Sequence, residues 1–395
     1  MMMTTTMMQM TNILTNTELN NKKETLHLLI KPTHACNLRC KHCYHAEKGY
    51  DSKKLSLDDI EKVLTIASIE YQKVDLIWHG GEPTLMGIPY YQECLKIENK
   101  LSNKYGTKFD NSIQTNATLI DSEWVDFAQT TGFKIGISYD GIFNNSLRNK
   151  TDKVEKAIQL MQQKNYKFGC ICVITSENVN QMTDIYKWFN HRNISCKFNP
   201  IFASGAAKEN TEFLLDPVVY ARKLIETFTY WLHDTTCCIS VSSFENFIHE
   251  AIGIGGRVCT NASCLYSWLC IDAYGDFYPC GKPHEKKFCF GNIHNIDSIQ
   301  SVFESDNYSE MTDLMVKLRD KCIEKCDVVQ YCQGGCPAER IYTEDNNAPW
   351  ICIATKTIWH GIRDEIMAFV DALYTGEAQN YNPVAKRRLK KLLNI

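Results

Sequence analysis

The sequence predicts an α/β fold: a partial (β/α)6 TIM-type barrel over residues 25–235, then a small cysteine-rich domain with short hairpins and helices over 236–365. Three observations predict it. Short apolar runs alternate with helical stretches as far as about residue 235. Polar signatures follow several of those runs, at what would be the carboxyl edge of a parallel sheet, where such sheets bind ligands. Beyond residue 235 the alternation stops and cysteines crowd in.

Taken in order, residues 1–24 form a polar leader rich in Thr, Asn and Met, expected to be flexible, with neither the basic start nor the apolar stretch of a signal peptide. The first strand is LHLLIKP (26–32). Five more follow: VDLIWH (74–79), NSIQTN (111–116), KIGISYD (134–140), KFGCICVIT (167–175) and CKFNPI (196–201). Their starts lie 23 to 48 residues apart, the rhythm of βα units. Helical stretches fill the intervals: SLDDIEKVLTIASIEY with Ser56 as N-cap, DSEWVDFAQTTG and KVEKAIQLMQQK. Six units are too few to close the usual eight-stranded barrel, so an open one is expected. The stretch 259–280 contains a hairpin around Tyr274-Gly275. Residues 366–395 end in KRRLKKLLNI, read as a basic amphipathic surface helix, or else as a dock for an acidic partner.

The 395 residues carry 43 Lys and Arg against 46 Asp and Glu, a net charge of -3, so no basic field points to nucleic acid or to an anionic membrane. No apolar run is long enough to span a bilayer. Nineteen cysteines, an odd number without an export signal, suggest a cytoplasmic metalloprotein rather than a disulfide framework. Cys94, Cys170, Cys172, Cys196, Cys237, Cys238 and Cys289 follow no ligand spacing and are expected to be small buried hydrophobes.

The densest signal is THACNLRCKHCY (33–44), which places Cys36, Cys40 and Cys43 on the loop after the first strand. Three thiolates on a [4Fe-4S] cube leave one iron open, as an open position marks a catalytic zinc site. A zinc site completed by His34, His42 or His45 is the alternative reading. HGGEP (79–83), QTNAT (114–118) and SYDG (138–141) fall on the same predicted edge.

CNLRCKHCY after the first strand, with GGEP after the second, resembles the radical S-adenosylmethionine (SAM) superfamily. The resemblance implies that Cys36, Cys40 and Cys43 ligate the radical-generating cluster and that SAM binds its open iron. It implies further that His42 lies near the adenine, and that Gly80, Gly81 and Glu82 line the methionine ammonium. Ser138 and Arg148 match the positions that hold the ribose and the carboxylate. Downstream, Cys322, Cys326, Cys332 and Cys336 (C-x3-C-x5-C-x3-C), with Cys352 and the upstream Cys259, Cys264 and Cys280, resemble a SPASM domain. That family usually opens its run with C-x2-C. Its interleaved pattern implies one auxiliary cluster on Cys259, Cys264, Cys280 and Cys336, and another on Cys322, Cys326, Cys332 and Cys352. Cys270 competes with Cys264 but falls within a strand, so Cys264 is preferred.

The resemblance implies three [4Fe-4S] clusters and SAM as cofactors, an external donor such as flavodoxin or ferredoxin, and a peptide substrate. The expected activity is a radical SAM maturase of a ribosomally made precursor peptide, installing a carbon–carbon, ether or thioether crosslink. The alternative is an anaerobic sulfatase-type maturase forming formylglycine; a non-catalytic zinc-binding adaptor is the alternative of another class. Sulfatase maturases tend to carry an Asp after the cysteine of the YPC turn, whereas Gly281 and Lys282 stand here, and CQGGCPAER with Glu339 and Arg340 looks closer to the crosslinking members. The winged-helix leader-binding domain of many peptide maturases finds no room, so a leader is expected to dock on the barrel, the SPASM surface or the basic tail. Glu285, Glu339 and His284 are candidate bases, none assigned.

Overall fold

The structure is a computed structural model and describes residues 22–45, 50–253, 264–282, 285–342 and 350–394. Its frame is a sheet in the order β6-β5-β4-β3-β2-β1-β7-β8-β9. The first six strands are β1 (Lys23–Ile30), β2 (Tyr71–Trp78), β3 (Lys108–Thr115), β4 (Lys134–Ser138), β5 (Gly169–Ile174) and β6 (Ser195–Pro200). All are parallel, with Leu28 beside Leu76 and Ile113 beside Ile135. Consecutive strands are neighbours, so every polar loop after a strand opens on one edge.

The helices between strands form for local reasons. α1 (Leu57–Glu70) starts at Ser56, whose hydroxyl accepts from Asp59 N–H, and Asp58 and Asp59 complement the helix dipole. It buries Ile60, Val63, Leu64 and Ala67, one stripe at helical spacing. α2 spans Ile88–Tyr105. α3 (Ser122–Thr131) runs from its Asp121 cap to Gly132, and α4 (Thr151–Gln163) buries Val154, Ala157, Ile158 and Met161. α5 (Met182–His191), α6 (Pro217–His233) and α7 (Ser242–Ala251) follow.

Three boundaries differ from expectation. β1 begins at Lys23, inside the expected leader, and Lys22 is anchored by Nζ donating to Ser68 O and Tyr105 O, each at 2.7 Å. The hairpin of β7 (Trp268–Ile271) and β8 (Asp276–Tyr278) turns where predicted, but it does not stand apart from the barrel. β7 pairs in parallel with β1, His27 against Trp268 and Ile30 against Ile271, and β9 (Gly291–Asn292) pairs with β8. The strand covers an edge of β1 that would otherwise expose an unpaired ladder. Finally, α8 (Asp306–Lys325) and α9 (Pro337–Tyr342) lead to α10 (Trp350–Thr375), which crosses the break expected at 365. α10 buries Ile358, Ile362, Ile366 and Phe369, so core packing runs through that point. The basic tail is α11 (Pro383–Leu393), seated by Val384, Ala385 and Leu389. Among the described residues, no helix is long and apolar enough to cross a membrane.

Candidate functional site

The loop carrying Cys36, Cys40 and Cys43 leaves β1 at the carboxyl edge and is held by its neighbours from several sides. After β2, Gly81 N–H donates to Thr33 O at 3.1 Å and Glu82 N–H to Ala35 O at 2.8 Å. A Cβ at Gly81 would lie 2.1 Å from Ala35 O, so the approach of these two loops needs glycine there. Glu82 turns the other way. Its carboxylate accepts from Thr84 N–H, Thr84 Oγ1, Thr115 Oγ1 and Asn116 N–H, latching the end of β2 to the end of β3. Burial pushes its pKa up, and those hydrogen bonds pull it back. What this motif presents to the cysteine loop is therefore backbone, the N–H groups of Gly81 and Glu82.

After β3, Asn116 Nδ2 donates to Asn37 Oδ1 at 2.8 Å and lies 4.0 Å from Cys36 Sγ. Asn37 in turn donates to Thr118 Oγ1 at 2.8 Å. Ser138, at the end of β4, accepts from Gln114 Nε2 at 2.9 Å. Arg148 is buried against Asp140, with Nε to Oδ2 at 2.6 Å and Nη2 to Oδ1 at 3.3 Å. Asp140 also accepts from Val173 N–H, which ties β5 into the same corner. Burial pushes the Cys36 thiol up to about 11 and Cys40 up to about 12, Arg148 partly offsetting the latter. Such thiols ionise readily only with a cation beside them, as on metal binding. Burial first, and then Arg148, holds His42 down at about 4, a neutral ring beside the loop.

A clamp that the sequence reading missed comes from the loop after β6. Ala206 N–H donates to Cys43 O at 2.9 Å and Asn210 Nδ2 to Lys41 O at 3.0 Å. Gly205, at φ +57°, has no room for a Cβ, which would stand 2.4 Å from Cys43 O. The only signal was the run of small residues, SGAA, just after a strand.

His34 and His45, the possible zinc ligands, are committed to each other. His34 Nδ1 lies 3.1 Å from His45 Nε2, and its Nε2 lies 3.6 Å from Asp272 Oδ2, just past β7. This contact joins the cysteine loop to the cysteine-rich region.

Beside the loop opens a cleft of about 210 Å³. His42 and Tyr44 form its wall on the loop side, Lys282 and Glu339 on the cysteine-rich side, with Phe202 and Trp359 also lining it. Lys282 Nζ and Glu339 Oε1 are 2.6 Å apart, and Lys282 lies 4.3 Å over the Phe202 ring. Tyr44 Oη lies 3.4 Å from His79 Nε2, while His79 Nδ1 accepts from Gly80 N–H at 2.7 Å.

Farther along, Cys322, Cys326, Cys332 and Cys352 line one small cavity of about 30 Å³. Four thiols around one space suit a fully ligated cluster. Arg340 reaches the same cavity and donates from Nη1 to Cys322 Sγ at 3.3 Å and Gly334 O at 2.7 Å. Burial pushes Cys332 up to about 12 and raises Cys352. Of the other set, Cys264 and Cys280 are half-buried and Cys336 is buried, while Cys259 lies outside the described residues. Cys270 is fully buried on β7 among Leu29, Tyr278 and Phe288, a core environment, whereas Cys264 sits in the turn before that strand. Glu285 is ion-paired to Lys287 at 3.0 Å, and His284 lies outside the described residues. Cys94, Cys170, Cys172, Cys196 and Cys237 are buried as expected. Cys238 is exposed and Cys289 half-buried; Cys238 caps a surface turn, its N–H donating to Asn190 Oδ1 at 3.0 Å.

Residues 30–189 match the radical SAM superfamily, and residues 259–337 match SPASM, an iron-sulfur cluster-binding domain. A cysteine-type anaerobic sulfatase-maturating enzyme of Clostridium perfringens is 28% identical over 345 residues, covering 81% of this chain and 91% of its own. A solved structure of native anSMEcpe with bound AdoMet and Cp18Cys peptide superposes with a TM-score of 0.79 at 26% identity, covering 88% of this chain and 99% of its own. Streptococcus suis SuiB bound to precursor peptide SuiA shares the fold, with a TM-score of 0.58 at 19% identity over 83% of this chain and 75% of its own. The chain thus carries a radical SAM domain and a SPASM iron-sulfur domain, and it is an enzyme.

Proposed function

We propose that this enzyme oxidises a residue of a peptide or protein, removing two hydrogens from a side chain held in the cleft beside Tyr44. The observation that carries the reading is the cleft itself, walled on one side by the loop of three cysteines and on the other by the SPASM region. Cys36, Cys40 and Cys43 would hold the radical cluster, with SAM beside His42, Ser138 and the backbone of Gly80 and Gly81. Arg148, already paired to Asp140, would lie behind it as a fixed positive group. Cys322, Cys326, Cys332 and Cys352 would hold one auxiliary cluster, and Cys259, Cys264, Cys280 and Cys336 the other. When bound, the first cluster and SAM supply a 5′-deoxyadenosyl radical. The chain's part is to seat the side chain, exclude water and manage the released proton. A one-electron donor of the flavodoxin or ferredoxin kind would serve it.

Between substrates, similarity along most of the chain favours sulfatase-type maturation, the oxidation of a cysteine or serine in a protein. One observation favours the second reading, crosslinking of a precursor peptide. The turn after Cys280 carries Gly281 and Lys282, so the carboxylate common at that place in sulfatase maturases is missing. The test is anaerobic reconstitution to roughly twelve irons per chain, the content of three cubanes, then reaction with SAM, reductant and peptide. Two peptides are compared: one carrying a sulfatase cysteine or serine motif, and a precursor encoded beside the gene. An aldehyde-reactive product from the first supports sulfatase-type maturation. Loss of two hydrogens from the second, with a blocked fragmentation segment and no aldehyde, supports crosslinking. Failure to form 5′-deoxyadenosine at full iron content would refute both.

A further inference from the structure

We infer that Glu339 is the base that accepts the proton released when the peptide is oxidised, with Lys282 as its positioning residue. The inference rests on the function proposed above and adds the residue that similarity does not supply. An oxidation that removes two hydrogens must dispose of one hydrogen atom, one proton and one electron. A C–H bond of the substrate breaks homolytically and its hydrogen atom goes to the 5′-deoxyadenosyl radical. An X–H bond, where X is sulfur, oxygen, nitrogen or a second carbon centre, then breaks heterolytically. Its electron pair becomes a new or strengthened C–X bond, the proton goes to a base, and the remaining electron goes to an oxidised iron-sulfur cluster of the SPASM domain. The base must stand in the substrate cleft.

Of the carboxylates flagged in the sequence, the structure brings only Glu339 to that cleft. Glu285 is spent on Lys287. The turn after Cys280 contributes a cation, Lys282, and this cation grips Glu339 Oε1 at 2.6 Å. The Phe202 ring steadies the ammonium from the barrel side. The Glu339 side chain is 12% exposed, enough to meet a bound peptide while shielded from bulk water. Its place on α9 also separates two tasks. Glu339 faces the cleft, while its neighbour Arg340 reaches the cavity of four cysteines, so the proton acceptor stands one residue from a group touching a proposed electron acceptor. Where X is bonded to the radical carbon a weak base is sufficient, because that X–H bond is far more acidic than in the parent substrate. Glu250, on α7, also lines the cleft; Glu226, ion-paired to Lys223 on the exposed face of α6, serves as the comparator.

The test uses reconstituted enzyme with whichever peptide above is turned over, deuterated at the abstracted position. Glu339→Gln should still transfer deuterium into 5′-deoxyadenosine within about twofold of the parent rate. Product formed per 5′-deoxyadenosine should fall by about 10²-fold or more, the usual loss when a general base is removed. Glu339→Asp should recover part of that ratio. Lys282→Met should lower product per 5′-deoxyadenosine in the same direction as Glu339→Gln, and Lys282→Arg should restore most of it, because a cation again holds the carboxylate in place. Glu226→Gln should leave both quantities unchanged. Iron content, and peptide affinity measured by isothermal titration calorimetry without SAM, should match the parent in every variant. Unchanged coupling in Glu339→Gln overturns the inference while leaving the proposed function standing. So does loss of iron or peptide affinity in step with activity, which would make Glu339 structural. If neither peptide is oxidised by the parent enzyme, the proposed function itself fails.

Discussion

Replacing Glu98 by Gln should remove a pH-dependent destabilisation built into the barrel. Glu98 lies on α2 and is 4% exposed. Its Oε2 accepts from Asn111 Nδ2 at 2.7 Å, and Oε1 meets no partner among the described residues. Burial pushes the carboxyl from 4.5 up to about 7, the Asn111 hydrogen bond opposing the shift. A raised carboxyl pKa means that the folded state holds the proton more tightly than the unfolded chain. Its contribution is then fully favourable below about pH 4.5 and is lost as pH rises toward 7; above that the loss is constant. At 1.36 kcal/mol per unit, the gap corresponds to about 3 kcal/mol between pH 4.5 and pH 8. Glutamine has nearly the same shape and never ionises. The variant should therefore be about 3 kcal/mol more stable than the parent at pH 8 and nearly equal to it at pH 5. Anaerobic urea titrations of the loaded enzyme at the two values measure this, and other titrating groups cancel in the difference. An identical pH 5 to pH 8 loss in parent and variant would refute the argument.

Other outcomes follow from the site. Gly81→Ala should drive the second loop off Ala35, so iron should fall by roughly four atoms per chain, one cubane's worth, with the auxiliary signals kept; equal loss from all clusters would refute this. Arg148→Met should leave Asp140 as a buried unpaired charge and cost about 3–5 kcal/mol in stability, with weakened SAM binding measured by equilibrium dialysis. Double substitution with Asp140→Asn should recover most of the stability. Arg340→Met should make the reduction potential of one auxiliary cluster more negative, because a charge-assisted N–H to sulfur is lost; voltammetry showing no shift would place that arginine outside the cluster's surroundings.

The strands were legible because each pairs a short apolar run with a polar signature at its end. LHLLI and VDLIW need no tertiary information to be recognised. The start of β1 was hidden because Lys23 and Glu24 look like leader, and the strand character of this stretch comes only from pairing with β2, Lys23 against Tyr71 and Thr25 against Lys73. The docking of β7 on β1 was illegible for the same reason, since pairing across 240 residues leaves no local pattern. At the site, cysteine spacing and the two glycines could be read directly. The latch made by Glu82 could not, because four donors converge on it only after β2 and β3 align. The clamp at Gly205 joins a backbone bond from Ala206 to a side-chain bond from Asn210, a combination that leaves no local pattern in the sequence. Glu339 and Arg340 were conspicuous in sequence, but their divergence toward two different cavities depends on how α9 is seated.

The strand shared between barrel and SPASM region has a mechanical corollary. A ladder continuous from β6 to β9 ties the halves together, so opening the cleft by rotating one against the other would tear the β1–β7 ladder. A substrate then enters past loops and side chains rather than through a hinge between the halves. Severing the chain upstream of β7 would also strip the flank of β1, leaving a sticky rim prone to recruit other molecules.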